Sequence, residues 1–239
     1  MKYLDLTLPT PAENLACDEA LLDWREEGGG AEILRVWEPQ QYFLVLGYAN
    51  KASQEINLEV SRERGIPILR RCSGGGTVLQ GPGCLSYSLI LKIDEGNAFH
   101  SISETNCSIM ERNAAVLTSL LGKAVTVQGF TDLAVNNLKC SGNAQRRKRA
   151  WILFHGTFLL DLKPGLMEEL LLLPAKQPDY RQNRSHTEFL TQLRVPIYLV
   201  KEALQKFWGS TEPLLKIPRA RIEDLVRDKY SQAAWNLKW

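Results

Sequence analysis

Nothing in this chain marks it for a membrane, a metal or a polyanion. Its five cysteines, Cys17, Cys72, Cys84, Cys107 and Cys140, are odd in number and lack CxxC spacing. That excludes a disulfide framework and a zinc knuckle and leaves reduced thiols. No apolar run approaches the 18 or more residues of a membrane span, and the opening MKYLDLTLPTPAEN has acidic residues and prolines where a leader would have an apolar core. The expected location is the cytoplasm. A net charge of +2 on 239 residues gives no push toward nucleic acid. His100, His155 and His186 show no spacing of metal ligands, so metal residues stay unassigned. With 44% hydrophobic and 23% charged residues, and no internal repeat, the composition is that of an ordinary globular protein.

What is present is concentrated in residues 70–88, RRCSGGGTVLQGPGCLSYS. Three consecutive glycines bare their N–H groups beside Arg70 and Arg71, a combination suited to a carboxylate or phosphate. A second cluster, Gly81-Pro82-Gly83, closes a short strand that begins at Thr77. A glycine-rich hairpin turn with surface arginines is the plainer reading of the same residues. No Lys-Ser or Lys-Thr follows the glycines and no GxGxxG joins a strand to a helix, which excludes the common nucleotide loops.

The rest of the pattern predicts helices over 11–27, 54–64, 101–121, 165–172, 187–192, 197–208 and 219–230. In the third of these, Ile102, Ile109, Ala115, Val116 and Leu120 form the apolar stripe. Strands are expected over 33–37, 42–47, 66–70, 77–79, 86–92, 125–127, 132–135, 139–141 and 151–160. Hairpin spacing with segregated helices indicates an α+β fold, a mixed and mostly antiparallel sheet flanked by helices.

Four stretches together resemble the lipoate-protein ligase, octanoyltransferase and biotin-ligase superfamily. They are NLACDEALL at 14–22, RRCSGGG running through a strand into GCLSYS, DLAV with KCSGNAQ at 132–145, and HGTFLL at 155–160. The resemblance covers 1 to about 235 and implies a single catalytic domain over 1–239, without the small C-terminal domain that larger ligases add. It implies Lys139 as the catalytic residue, neutralising charge at the reacting carbonyl. Arg71, Ser73, Gly74, Gly75, Gly76, Thr77, Val78, His155 and Gly156 are then expected to bind the acyl substrate. Lys139, Asn143, Ala144 and Gln145 are expected to meet the nucleotide, with Asp132 and Asn136 as candidates near Mg²⁺. His155 otherwise reads as a satisfied structural histidine. The basic run 145–149 reads either as a solvated turn or as a contact for polyphosphate or an acidic partner.

Cysteines separate the versions. An octanoyltransferase holds its acyl group on a thiol, and relatives place it before the lysine block or in a segment after the HG motif. Here no cysteine lies between Cys107 and Lys139, and Ala175 stands at the second place. Cys140 should point away from Lys139 across the strand. The expectation is therefore an ATP-dependent ligase that activates lipoate or octanoate as an acyl-adenylate and passes it to a lysine of a lipoyl-acceptor domain, with or without a separate accessory subunit. The alternative is octanoyl transfer from acyl carrier protein through Cys72, Cys84 or Cys140. Biotin ligation and a non-catalytic acyl-binding protein come after these.

Overall fold

The computed structural model describes residues 1–94, 96, 99–174 and 176–239. Its first half runs β1 (Lys2–Asp5), α1 (Pro11–Gly28), β2 (Ile33–Trp37), β3 (Phe43–Leu46), α2 (Ala52–Glu55), α3 (Leu58–Glu63), β4 (Ile68–Arg70), β5 (Val78–Gln80) and β6 (Cys84–Lys92). The second half runs α4 (Ile102–Leu121), β7 (Val125–Gln128), β8 (Asp132–Val135), β9 (Leu138–Arg147), β10 (Trp151–Leu159), α5 (Pro164–Leu170), α6 (His186–Phe189), α7 (Ile197–Phe207), β11 (Glu212–Pro213), α8 (Arg219–Leu225) and α9 (Ala233–Asn236).

α1 starts where Thr10 caps it: the Thr10 hydroxyl accepts from Glu13 N–H, and the Glu13 carboxylate accepts from Thr10 N–H, satisfying two groups the helix end leaves open. Eight strands form one sheet in the order β11-β1-β2-β6-β10-β9-β8-β7, and β4-β3-β5 form a second. Among the described strands, β1 with β2 and β11, and β3 with β4, pair in parallel, and the other pairs are antiparallel. The predicted α+β architecture is thus the observed one.

Strand alternation gives the large sheet two apolar faces. Leu34, Val36, Leu89 and Phe154 pack against Ile109 and Leu117 of α4 and Val200 and Leu204 of α7. Ile33, Trp37, Ile90 and Leu153 pack against Leu15, Leu21 and Leu22 of α1 and Ile222 of α8. Each such side chain contributes about 1.5–3 kcal/mol by leaving water. The face under α1 carries the polar residues of interest.

Several expectations shift. The helix expected over 54–64 is two short ones, and that over 219–230 ends at Leu225 in a single π turn, Val226–Tyr230. The 77–79 strand belongs to the small sheet, not to the continuation of the large one. Ile102 and Ala115 of the expected α4 stripe are exposed, while Ile109, Met110, Ala114, Val116 and Leu117 form the buried side. The strand expected over 139–141 runs on to Arg147, so most of the presumed basic turn is ladder. β1 was not foreseen; its partners β2 and β11 are distant in sequence.

Candidate active site

β4 delivers the two arginines to opposite duties. Arg70 is fully buried and donates to six carbonyls: Gly47, Tyr48 and Asn50 at 2.8 to 3.1 Å, and Trp235, Asn236 and Lys238 at 2.8 to 3.1 Å. It clamps the C-terminal segment to the loop after β3 and does not face the glycines. Arg71 turns back on the glycine loop. Its guanidinium donates to Gly74 O at 2.5 and 3.0 Å, to Gly76 O at 2.8 Å and to the Ser73 hydroxyl at 3.1 Å. Burial lowers its pKa to about 10, which still leaves it cationic.

The Gly74 and Gly76 carbonyls turn toward Arg71 and the Gly75 carbonyl toward Gly47. No acceptor among the described residues takes the N–H groups of Gly74, Gly75 or Gly76. Gly75 has φ +85°, and a Cβ there would meet Arg71, so only glycine makes this loop. A Cβ on Gly74 or Gly76 would meet nothing within 4 Å, so the loop opens outward on both sides of Gly75.

Under the loop, Ser73 Oγ lies 2.5 Å from His155 Nε2, and His155 Nδ1 lies 3.3 Å from Asp18 Oδ2. Asp18 comes from α1 and pairs through its other oxygen with Arg35 at 2.5 Å. Arg35 in turn is held by Asn14 and by Leu6 O. Burial pushes the Asp18 carboxyl up, but the Arg35 guanidinium and the His155 bond outweigh it and hold its pKa below the ordinary value. Asp18 is thus an anion that accepts the His155 Nδ1 proton and leaves Nε2 to accept from Ser73. Both His155 ring nitrogens are thus partnered, and Asp18, which anchors this row, was missed by the sequence reading.

β9 joins the loop to the lysine. Ala144 and Gly142 point to the same face, two residues apart. A Cβ on Gly75 would lie 3.5 Å from the Ala144 methyl, and one on Gly142 would lie 3.0 Å from Lys139 Nζ. Across the ladder, Ala144 faces His155 and Gly142 faces Thr157. The glycine loop, the histidine and the lysine ammonium therefore converge on one short stretch of sheet. Lys139 Nζ pairs with Asp132 Oδ1 at 2.8 Å, and Tyr180 donates to Asp132 Oδ2 at 2.8 Å. Tyr180, from the turn Asp179–Arg181, was also missed.

The remaining expected residues divide. Thr77 and Val78 continue from the glycines into β5, and the Thr77 hydroxyl is buried without a partner. Asn143 is taken by protein: it donates to Thr131 O and accepts from Tyr87 at 2.6 Å, and its side chain fills the space a Cβ on Gly156 would need. Ala144 is buried. Gln145 and Arg147 bond to α4 and the loop before it, and Lys148 pairs with Asp23 of α1. Gln145, Arg147 and Lys148 are thereby used in packing, while Arg146 and Arg149 stay exposed. Asn136 sits at φ 50° in the turn between β8 and β9. Asp132 has both oxygens partnered, and among the described residues no three His, Cys, Asp or Glu side chains gather. With Asp132 already paired, the described residues give a Mg²⁺ no ready set of oxygen ligands here.

The thiols are poorly placed for chemistry. Burial pushes Cys72, Cys84 and Cys140 up to about 12 and Cys17 to about 11, so none forms a thiolate at neutral pH. Cys140 faces away from Lys139, as expected, and bonds Leu133 O. Cys107 is exposed on α4, bonded to Glu111, which raises its pKa. Ala175 lies outside the described residues.

Residues 10–206 match the model of the lipoyl protein ligase A/B catalytic domain. The chain belongs to this family. It is an enzyme of the lipoate ligase and octanoyltransferase class. This lipoyl ligase A/B domain is 29% identical to octanoyltransferase LipM of Geobacillus kaustophilus, over 99% of this chain and 98% of that one. It is 31% identical to octanoyltransferase LipM of Lysinibacillus sphaericus, over 75% and 72%. Its fold matches the bipartite lipoate protein ligase of Thermoplasma acidophilum, described with its E2 lipoyl domain, at a TM-score of 0.83. That match has 22% identity and covers 99% of this chain and 96% of that one. No helix among the described residues is long and apolar enough to cross a membrane.

Proposed function

We propose that the enzyme transfers an octanoyl group from the thioester of an acyl carrier protein to a lysine of a lipoyl-acceptor domain. The names of these relatives, octanoyltransferases, favour acyl transfer over the ATP-dependent ligation expected from the sequence. The observation that carries the chemistry is the convergence of the glycine loop and the Lys139 ammonium on Gly142 and Ala144. The amides bind the acyl oxygen. As the incoming amine attacks, negative charge grows on that oxygen, and Lys139 exchanges Asp132 for it. Arg71 acts one step back, holding the loop so that its amides need not reorganise. The neighbour described with an E2 lipoyl domain supports an acceptor of that kind.

A second reading, the ATP-dependent ligase, is favoured by one observation: Cys17, Cys72, Cys84 and Cys140 are buried and the exposed Cys107 lies on α4, so no thiol is presented at the glycine loop. An acyl-adenylate would need none, with Lys139 serving the phosphate as well. Purified enzyme with octanoyl carrier protein and an apo acceptor domain, without nucleotide, should yield octanoylated lysine by mass spectrometry. Product only with ATP, Mg²⁺ and free lipoate or octanoate would overturn the transferase in favour of the ligase.

A further inference from the structure

β4 is an edge strand of the small sheet, so the outward backbone groups of Arg70 have no strand to pair with. Residues far along the chain satisfy them instead. Arg70 N–H donates to Asn236 Oδ1 at 3.0 Å, and Trp235 Nε1 donates to Arg70 O at 2.9 Å. Asn236 is buried and is itself fixed, donating from Nδ2 to Tyr230 O at 2.8 Å. The Arg70 guanidinium carries the contact inward, because it joins the carbonyls of Trp235, Asn236 and Lys238 to those of Gly47, Tyr48 and Asn50. Lys238 adds a second tie: its ammonium lies 3.7 Å from the centre of the Tyr48 ring and 3.9 Å from that of Trp235. Residues 46–48 in turn underlie the glycine loop. Tyr48 N–H donates to Ser73 O at 2.8 Å and Arg71 N–H to Leu46 O at 3.0 Å, and Gly47 lies so near that a Cβ on it would overlap the Gly75 carbonyl.

We propose that Asn236 and Trp235 are positioning residues for the acyl donor, acting through Arg70 and residues 47–50 on the amides of Gly74, Gly75 and Gly76. The proposal rests on the reading above, in which those amides bind the acyl oxygen. What the two side chains supply is a loop already in place when the donor arrives. Removing the Asn236 acceptor leaves a buried N–H unsatisfied on Arg70, which favours local opening of β4 and of the segments it holds. A looser loop has to be ordered on binding, so affinity falls. The bound complex, with Lys139 and Asp132 unaltered at the other end of the site, reacts at nearly the same rate. The coupling is reciprocal, so a bound donor also steadies residues 230–238.

The test combines steady-state kinetics, with octanoyl carrier protein as donor, and hydrogen–deuterium exchange, both on the full chain. Asn236→Ala should raise KM for the donor by about tenfold, the size of one buried hydrogen bond, and change kcat by no more than about twofold. Trp235→Phe keeps a ring beside Tyr48 and Tyr230 and loses the indole N–H; it should raise KM by about threefold. In both variants the amides of 44–50 and 71–77 should exchange faster than in wild type. Leu117→Ala, in the α4 core on the other face of the large sheet, is the control for stability alone. It should lower the melting temperature at least as far while leaving KM and that exchange unchanged. Wild type saturated with donor should exchange more slowly over 230–238. An unchanged KM in both site variants, or an equal rise in Leu117→Ala, would overturn the assignment while leaving octanoyl transfer standing. If wild type accepts only ATP with lipoate, octanoyl transfer falls, and the same KM comparison made with lipoate still decides the role of Asn236 and Trp235.

Discussion

The two ends of the site meet on one face of the sheet yet are held by opposite means. At the glycine end, Arg35, Asp18, His155, Ser73 and Arg71 form one buried chain of hydrogen bonds, and the Arg35 and Asp18 side chains are only 0% and 4% exposed. At the lysine end, Lys139 and Asp132 remain 23% and 14% exposed, and their outer partner Tyr180 comes from a short turn. A buried ion pair is costly to break because either survivor is left charged in a poor dielectric. A partly solvated pair contributes about 0–1 kcal/mol and exchanges partners easily. The glycine end is therefore built to stay still, and the lysine end to let go of Asp132 when a better anion appears.

The largest effect should come from the loose end. Lys139→Ala should slow transfer by about a hundredfold to a thousandfold, the usual cost of removing one transition-state donor. Its melting temperature should stay nearly unchanged. Single-turnover transfer and thermal melts check this; a loss of stability as large as the loss of rate would show that Lys139 is structural. Arginine at this position should rescue poorly, because a planar fork does not reproduce a compact point charge.

Asp18→Asn should show the converse. It leaves Arg35 buried without its counter-charge and should cost about 3–5 kcal/mol of stability, read by urea unfolding. The sign with pH follows from the depressed Asp18 carboxyl. Its contribution is present above the unfolded value, about pH 4, and is lost as pH falls through the lower folded value. Wild-type stability should therefore fall on acidification below about pH 4, and the variant should lack that part of the fall. An identical acid limb in both proteins would place the stabilising charge elsewhere.

How much of this could be read in the sequence depends on how far apart the partners are. The start of α1 at Pro11, its end at the glycines and the strand between two glycine turns rest on neighbours, and they stand as read to within a residue. Lys139, Ser73 and the glycines were legible through motif order. Asp18 was visible only as a charge on an apolar helix face; its partners lie 17 and 137 positions away, at Arg35 and His155. The run 145–149 looked like a turn because its charges hide the alternation of a strand whose outward residues bond to α4. Arg70 and Arg71 were indistinguishable as letters, and only the fold sends one to the tail and the other to the loop.

Arg71→Lys should sharpen the contrast at intermediate size. One ammonium cannot hold Gly74 O, Gly76 O and Ser73 Oγ together. Losing a charged hydrogen bond costs about 1.5–3 kcal/mol, so apparent affinity for the acyl donor should fall by about tenfold to a hundredfold. A larger fall in maximal rate than in affinity would mean that the loop amides act only after binding.

The smallest effect should come from Tyr180→Phe. The variant keeps the ring on Phe189 and removes only the hydroxyl that donates to Asp132 Oδ2. Asp132, left with fewer donors, then holds Lys139 more strongly in the resting state. Releasing the lysine to the reacting carbonyl becomes harder by about 1 kcal/mol, about a fivefold loss of maximal rate with unchanged affinity for the donor. Burial and the Asp132 charge push the Tyr180 phenol above its ordinary value, so it remains a donor throughout the neutral range. The ratio of wild-type to variant rates should accordingly be flat from pH 6 to 9, about a unit below the ordinary phenol value at its upper end. A faster variant would mean that Tyr180 keeps Lys139 on Asp132, and that the lysine end is restrained by the very turn taken here to free it.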